Sequence, residues 1–307
     1  MHDVPVILLK ASLVVFMTGN LLGMGLSLRP RDALAGLRDV RFVVLTLGVG
    51  FALCPALAWA LARLVPMERP YAVGLILLGV TPGAPFLPMV VDRARGDMGY
   101  AAAVMLLTSV VTVAYMPLVV PLLLPGFSAE PWTIARPLLL LVLLPLAVGV
   151  VMRRAAPAVA ARVYPIVKAA TSLDTIAMLA LCAVVYGRGF VAAAGSYAIA
   201  AQALFLIVVT LASWALGAGL PDERRGVLVL GMSTRNLGAA FAPLFALPAV
   251  DERAIVMVAL GVPLTVLCSF AVAALLGRRA GSPGDARGVP GAGKTIVGAA
   301  ARAKVTQ

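Results

Sequence analysis

Charge is scarce in this sequence. Charged side chains make up 12% of the 307 residues, and thirteen of them are Asp or Glu. A soluble domain of this length needs far more polar surface to cover its core. Histidine is nearly absent: His2 stands alone, at the chain end, and is assigned no role. The three cysteines, Cys54, Cys182 and Cys268, lie far apart in apolar segments. An odd count without clustered spacing argues against disulfides and metal, and leaves them as small core residues. No paired acids, nucleophile–His set or metal cluster is present, so an enzyme has little support. Short alternating segments are also missing, which excludes a transmembrane β-barrel.

What the sequence has is apolar length. Hydrophobic residues are 62% of the chain. They gather in nine segments, roughly 4–28, 39–63, 70–91, 98–124, 133–152, 163–187, 190–218, 226–249 and 253–277. A helix of that length crosses about 30 Å of hydrocarbon. The expected fold is an all-α polytopic membrane protein with about nine transmembrane helices, one domain over residues 1–277, multi-pass in the inner (plasma) membrane. The opening MHDVPVILLK has an acidic, sparsely charged start and reads as the first span, not a cleaved signal. Residues 278–307, rich in Gly, Ala and Arg, read as a disordered basic tail.

The net charge of +12 does not call for nucleic acid. With the N-terminus outside and the loops alternating, one side carries seventeen Lys or Arg and the other five. Arg29, Arg31, Arg38, Arg41, Arg93, Arg95, Arg153, Arg154, Arg162, Arg224, Arg225 and the tail share one side. The positive-inside rule then orients the chain N-out, C-in. Lys10 and Lys168 lie near span ends and read as snorkelling side chains. Trp59, Trp132 and Trp214 read as interfacial anchors.

Two stretches repeat at an offset of 152 residues: GLILLGVTPGAPF from Gly74 and GVLVLGMSTRNLG from Gly226. Each runs Gly, four apolar residues, Gly, then a polar or Pro/Gly-rich break in mid-membrane. In the N-out topology they enter from opposite sides, which makes an inverted repeat. Pro82, Pro85 and Pro88 cannot donate helical hydrogen bonds, so the third segment should break there. Irregular backbone at membrane depth must be buried in protein or line a wet cavity. Matched breaks in two inverted halves point to a transporter's midplane site.

Arg235 lies nine residues past Gly226, about 14 Å deep. Asp174 sits at similar depth in its own segment. Charges there normally face a cavity or one another. Two compatible readings follow: a structural Asp174–Arg235 ion pair, or a site where Arg235 meets an anionic substrate while Asp174 orients it or carries a proton. Ser233, Thr234, Arg235 and Asn236 at one break, Thr81 at the other, and Thr108 and Thr112 on the next helix complete the candidate substrate-binding set, with Asp174. One motif is a decoy. G288-VPGA-G293-K294-T295 matches a phosphate-binding loop, but such a loop works between a strand and a helix in an α/β domain, for which the tail has no room.

These features resemble the bile acid:sodium symporter family over most of the chain, from GNLLGMGLSLRPRD to about Gly277. The likeness is strongest in GMGLSLRP (23–30), from GFALCPALAW (50–59) through GLILLGVTPGAP (74–85) to ARGD (94–97), and in GMSTRNLGAAFA (231–242). The resemblance implies a panel domain and a core domain, two inverted repeats, and two broken helices that cross. It also shows where this chain departs from its relatives. Typical members read PGG-x-x-SN at the first break; here the Ser and Asn positions hold Leu87 and Pro88. Their Glu and Gln at the second break correspond to Gly231 and Arg235, and a further sodium-ligating Gln to Gly50. Asn236 keeps its type, and Thr108, Ser109 and Thr112 are candidates to stand in for hydroxyl ligands. An arginine and a sodium ion repel in a low-dielectric site. The expectation is a secondary transporter of small organic anions without a cofactor, in which Arg235 replaces the coupling sodium ions. Proton linkage through Asp174, facilitation and exchange are the open forms of coupling. The alternatives are a sodium symporter with displaced ion sites and a non-transporting sensor on the same fold. The residues around the breaks suit an amphipathic monocarboxylate, with sterol, keto acid and vitamin precursor equally open. Import or export and oligomeric state are not read.

Overall fold

The computed structural model describes residues 3–28, 30–124, 130–246 and 250–280. The loop-like motif at 288–295 and nearly all of the predicted tail lie outside the described residues. Twelve helices follow in order: α1 (Asp3–Ser27), α2 (Pro30–Arg38), α3 (Val40–Leu64), α4 (Arg69–Gly79), α5 (Leu87–Arg93), α6 (Met98–Leu123), α7 (Pro131–Ala155), α8 (Pro157–Ala194), α9 (Ala198–Leu216), α10 (Asp222–Ser233), α11 (Leu237–Ala246) and α12 (Glu252–Ala280). Among the described residues there is no strand, and one isolated antiparallel bridge joins Pro82 to Arg235.

Seven of these helices, α1, α3, α6, α7, α8, α9 and α12, are long and apolar enough to cross a membrane. Two more apolar segments are each folded as two short helices, α4 with α5 and α10 with α11. Together they account for the nine apolar segments. α8 is longer than its segment, at 38 residues. α2 is an addition: a short helix between the first two spans, packed on α6.

Local chemistry sets the ends and bends. Asp39 caps α3 by accepting from the Phe42 N–H at 3.1 Å, and Asp97 caps α6 by accepting from Gly99 and Tyr100 N–H. α3 carries a π-turn at Val49–Leu53, one turn ahead of Pro55. Proline has no N–H for the carbonyl four residues back, which is that of Phe51. The Tyr115 hydroxyl donates to it instead, at 2.5 Å. α7 has a second π-turn, Leu139–Leu143, in the same relation to Pro145.

The helices sort into two groups. α1 packs along α7 and α8. Small residues bring these backbones close: a Cβ built on Gly25 would lie 2.9 Å from the Gly149 Cα, and one on Gly149 would lie 2.6 Å from the Leu22 carbonyl oxygen. In the other group α3 packs on α4 and α4 on α12, while α9 packs on α10 and α10 on α6. The two sets of contacts mirror each other, as an inverted repeat requires. Polar ties close both ends of this second group. At one end Arg224 Nη1 and the Tyr100 hydroxyl both donate to Asp39 Oδ2, at 3.3 and 2.9 Å, and Arg41 donates to the Ala218 and Gly219 carbonyls. At the opposite end Arg253 joins Glu68 and Asp251.

Candidate transport site at the helix crossing

α4 and α10 run toward each other from opposite ends of the bundle and stop at its centre. Past α4, Gly83 turns with φ +82°, in the left-handed region that glycine favours. Past α10, Thr234 is extended. The two breaks then pair, chiefly through backbone. The Gly83 N–H donates to the Thr234 carbonyl at 3.0 Å, and the Asn236 N–H to the Thr81 carbonyl at 2.9 Å. The Ala84 N–H donates to Thr234 Oγ1 at 3.2 Å. Broken backbone is thus satisfied at membrane depth.

The structure brings most of the sequence-predicted residues together here. Thr81, Ser233, Thr234, Arg235, Asn236 and Thr108 are all buried. Thr81, Ser233 and Thr234 donate to carbonyls of the turns just before them. Asn236 Oδ1 accepts from the Ala239 N–H at 3.2 Å and so caps α11. Thr108 lies against Gly83: a Cβ there would come within 2.5 Å of its Oγ1. Thr112, one turn further along α6, is buried, and its hydroxyl has no protein partner.

Arg235 is the largest fully buried side chain among the described residues, 1% exposed. Its Nη2 donates to the Met232 carbonyl and, at 3.3 Å, to Cys54 Sγ. Its guanidinium carbon stands 5.1 Å from the centre of the Phe205 ring, a cation–π distance. Nε and Nη1 have no protein partner. No carboxylate among the described residues forms an ion pair with it.

Asp174 does not join this cluster, and the Asp174–Arg235 ion pair does not form. It sits on α8 in the first helix group, where Ser12 of α1 donates to its Oδ1 at 2.7 Å and its Oδ2 is buried without a partner. Depth along a helix matched the two residues. The direction each helix faces separates them.

Along α1 and α7, where α11 meets them, is a half-open groove of about 480 Å³. α1 contributes Lys10, Leu13 and Met17, α7 contributes Trp132 and Arg136, and α11 contributes Ala242. Met17 closes its inner end: a Cβ on Gly238 would fall 2.9 Å from Met17 Cγ and 3.4 Å from Asn236 Oδ1. Sequence reasoning left Lys10 as a snorkelling side chain and Arg136 as one of five loop cations. The signal for both was their spacing from the helix start, seven residues into α1 and five into α7.

A family model described as the Sodium Bile acid symporter family matches residues 13–193. The chain belongs to this family. It is therefore a multi-pass membrane protein of a transporter family, not an enzyme. The two helix groups correspond to the panel (α1, α7 and α8) and the core that the resemblance implied. A relative in Bacillus subtilis (strain 168), described as an uncharacterized sodium-dependent transporter YocS, is 25% identical over 257 residues, covering 78% of each chain.

Proposed function

We propose that the protein is a secondary transporter of small organic anions in the plasma membrane, oriented N-out and C-in, in which the Arg235 guanidinium takes the place of coupling sodium ions. The observation that carries this reading is a buried cation at the crossing, surrounded by positions that have lost their oxygen ligands. Gly231 stands where the resemblance places Glu, and a Cβ there would lie 2.8 Å from Val104 Cγ1. Gly50 stands where it places Gln, and a Cβ there meets Pro82 and the Met232 sulfur at 3.1 and 3.2 Å. Hydrocarbon and sulfur fill the volume that ligating side chains would need. These residues do not fit a sodium ion, and a fixed positive charge beside them opposes one.

Panel and core rock against each other, and the crossing moves with the core. Met17 separates the groove from Asn236, so substrate reaches Asn236, Thr108 and Thr112 when α1 shifts. Where transport is coupled to a proton, Asp174 is its carrier, since its Oδ2 lacks a partner in the panel.

A second reading is favoured by the name of the Bacillus subtilis relative: sodium coupling at displaced sites. Melting temperature in NaCl against KCl at equal ionic strength separates the two. Bound ion stabilises by about 2.7 kcal/mol at a hundredfold excess over Kd. A matching curve in both salts, with uptake that does not need a sodium gradient, supports the proposal. A sodium-specific rise overturns it.

A further inference from the structure

We infer that the basic end of the core holds the headgroup phosphate of an acidic phospholipid, on Arg225, Trp214 and Arg279, where α9, α10 and α12 come together. This is independent of what the protein transports. The N-out, C-in orientation assigns the lipid to the inner leaflet.

Two arginines from different helices meet one tryptophan here. The Arg225 guanidinium carbon stands 3.7 Å from the centre of the Trp214 ring, and that of Arg279 stands 5.3 Å from it, both cation–π distances. Arg225 is fixed in place. Its Nε and Nη2 donate to the Trp214 carbonyl at 2.9 and 2.6 Å, in the last turn of α9, where carbonyls lack helical partners. Nη1 of Arg225 and the fork of Arg279 are left for a ligand. Neither arginine forms an ion pair among the described residues, although Asp222 and Glu223 open α10 within one turn of Arg225. Arg224, next in the chain, is taken by Asp39. The surface toward mid-membrane from these charges is apolar. Leu211 and Leu275, one turn before Trp214 and Arg279, are 63% and 60% exposed. α9 and α12 pack together along this stretch, with Thr210 Oγ1 4.0 Å from Cys268 Sγ. A tryptophan at headgroup level, two cations and a leucine on each helix match a diacyl lipid of net negative charge. Phosphatidylcholine brings its own cation and gains less, and a free phosphate makes no use of the leucines.

Trp214 supplies the readout. The full chain with Trp59→Phe and Trp132→Phe keeps it as the one tryptophan. The protein is placed in phosphatidylcholine nanodiscs containing a minor fraction of phosphatidylglycerol. One lipid or the other carries dibrominated acyl chains, which quench a tryptophan they touch. Brominated phosphatidylglycerol should quench Trp214 beyond its share of the bilayer, and brominated phosphatidylcholine should not. Arg279→Gln should cut that preference about fivefold, about 1 kcal/mol. Arg279→Lys should keep most of it. Arg162→Gln, which removes an exposed arginine of α8, should leave it unchanged. Inorganic phosphate, set against chloride at equal ionic strength, should not displace the lipid. Quenching that follows bilayer composition overturns the inference. So does an equal loss in Arg162→Gln, which would reduce the site to diffuse attraction, or displacement by phosphate, which would make it a site for a soluble anion.

Discussion

At the scale of single residues, the core holds a charge without a carboxylate. Arg235 is surrounded by a sulfur, a carbonyl and a ring. A cation over a desolvated ring gains about 2 kcal/mol, which offsets part of its burial. Arg235→Gln should lower uptake in sodium-free medium by at least tenfold while the chain still inserts and folds. Unchanged sodium-independent uptake would remove Arg235 from the mechanism. Tyr115 supports a different kind of local balance. Tyr115→Phe orphans the Phe51 carbonyl beside Pro55, a loss of about 1–3 kcal/mol, read as a lower melting temperature with Arg235 chemistry intact. Arg235, Asn236 and Thr81 were legible in the sequence because a polar break at membrane depth has to be buried in protein or line a cavity. That Asp174 belongs to the panel was not legible. Periodicity gives depth, whereas the choice of Ser12 over Arg235 depends on how helices rotate against each other.

At the scale of elements, proline and aspartate do most of the shaping. The breaks after α4 and the π-turns in α3 and α7 trace to Pro82, Pro55 and Pro145. The first break could be read from its three prolines. The π-turns were missed because proline alone does not announce them: Pro117, Pro121 and Pro263 also lie inside spans, in helices without one. α2 was missed because a nine-residue helix between two spans leaves no long apolar run. Asp39 and Asp251 sit at opposite ends of the core. The Phe42 N–H, with Tyr100, Arg224 and Arg41 nearby, holds the Asp39 carboxyl below its ordinary 3.8, against a smaller opposing effect of burial. Arg253 does the same for Asp251. A depressed carboxyl pKa adds stability above the ordinary value, and that stability is lost as pH falls through the folded value. Acidification below about pH 4 should therefore lower the melting temperature. Asp39→Asn keeps a capping side chain and should flatten that loss. The difference is a few tenths to about 1 kcal/mol, because both Asp39 and Arg224 are partly exposed.

At the scale of the whole molecule, a panel of three helices faces a core built from two mirrored halves. This division was implied by the resemblance, and the repeat from Gly74 and Gly226 marked its centre. The groove along α1 and α7 was not legible. Lys10 and Arg136 are 126 positions apart in the chain, and only packing puts them on one wall. Arg235 differs from a transported cation in one respect that reaches beyond the bundle: it stays behind. A monoanion crossing beside a resident guanidinium carries net negative charge through the membrane. An inside-negative potential of 100 mV drives that charge outward by about 2.3 kcal/mol, roughly a fortyfold bias. Transport without a proton should therefore be electrogenic and favour export, with a current that reverses with the voltage. One proton on Asp174 per anion would make the cycle electrically silent. Whether a voltage-clamped proteoliposome carries a current at all reports which of these the buried arginine has imposed on the cell.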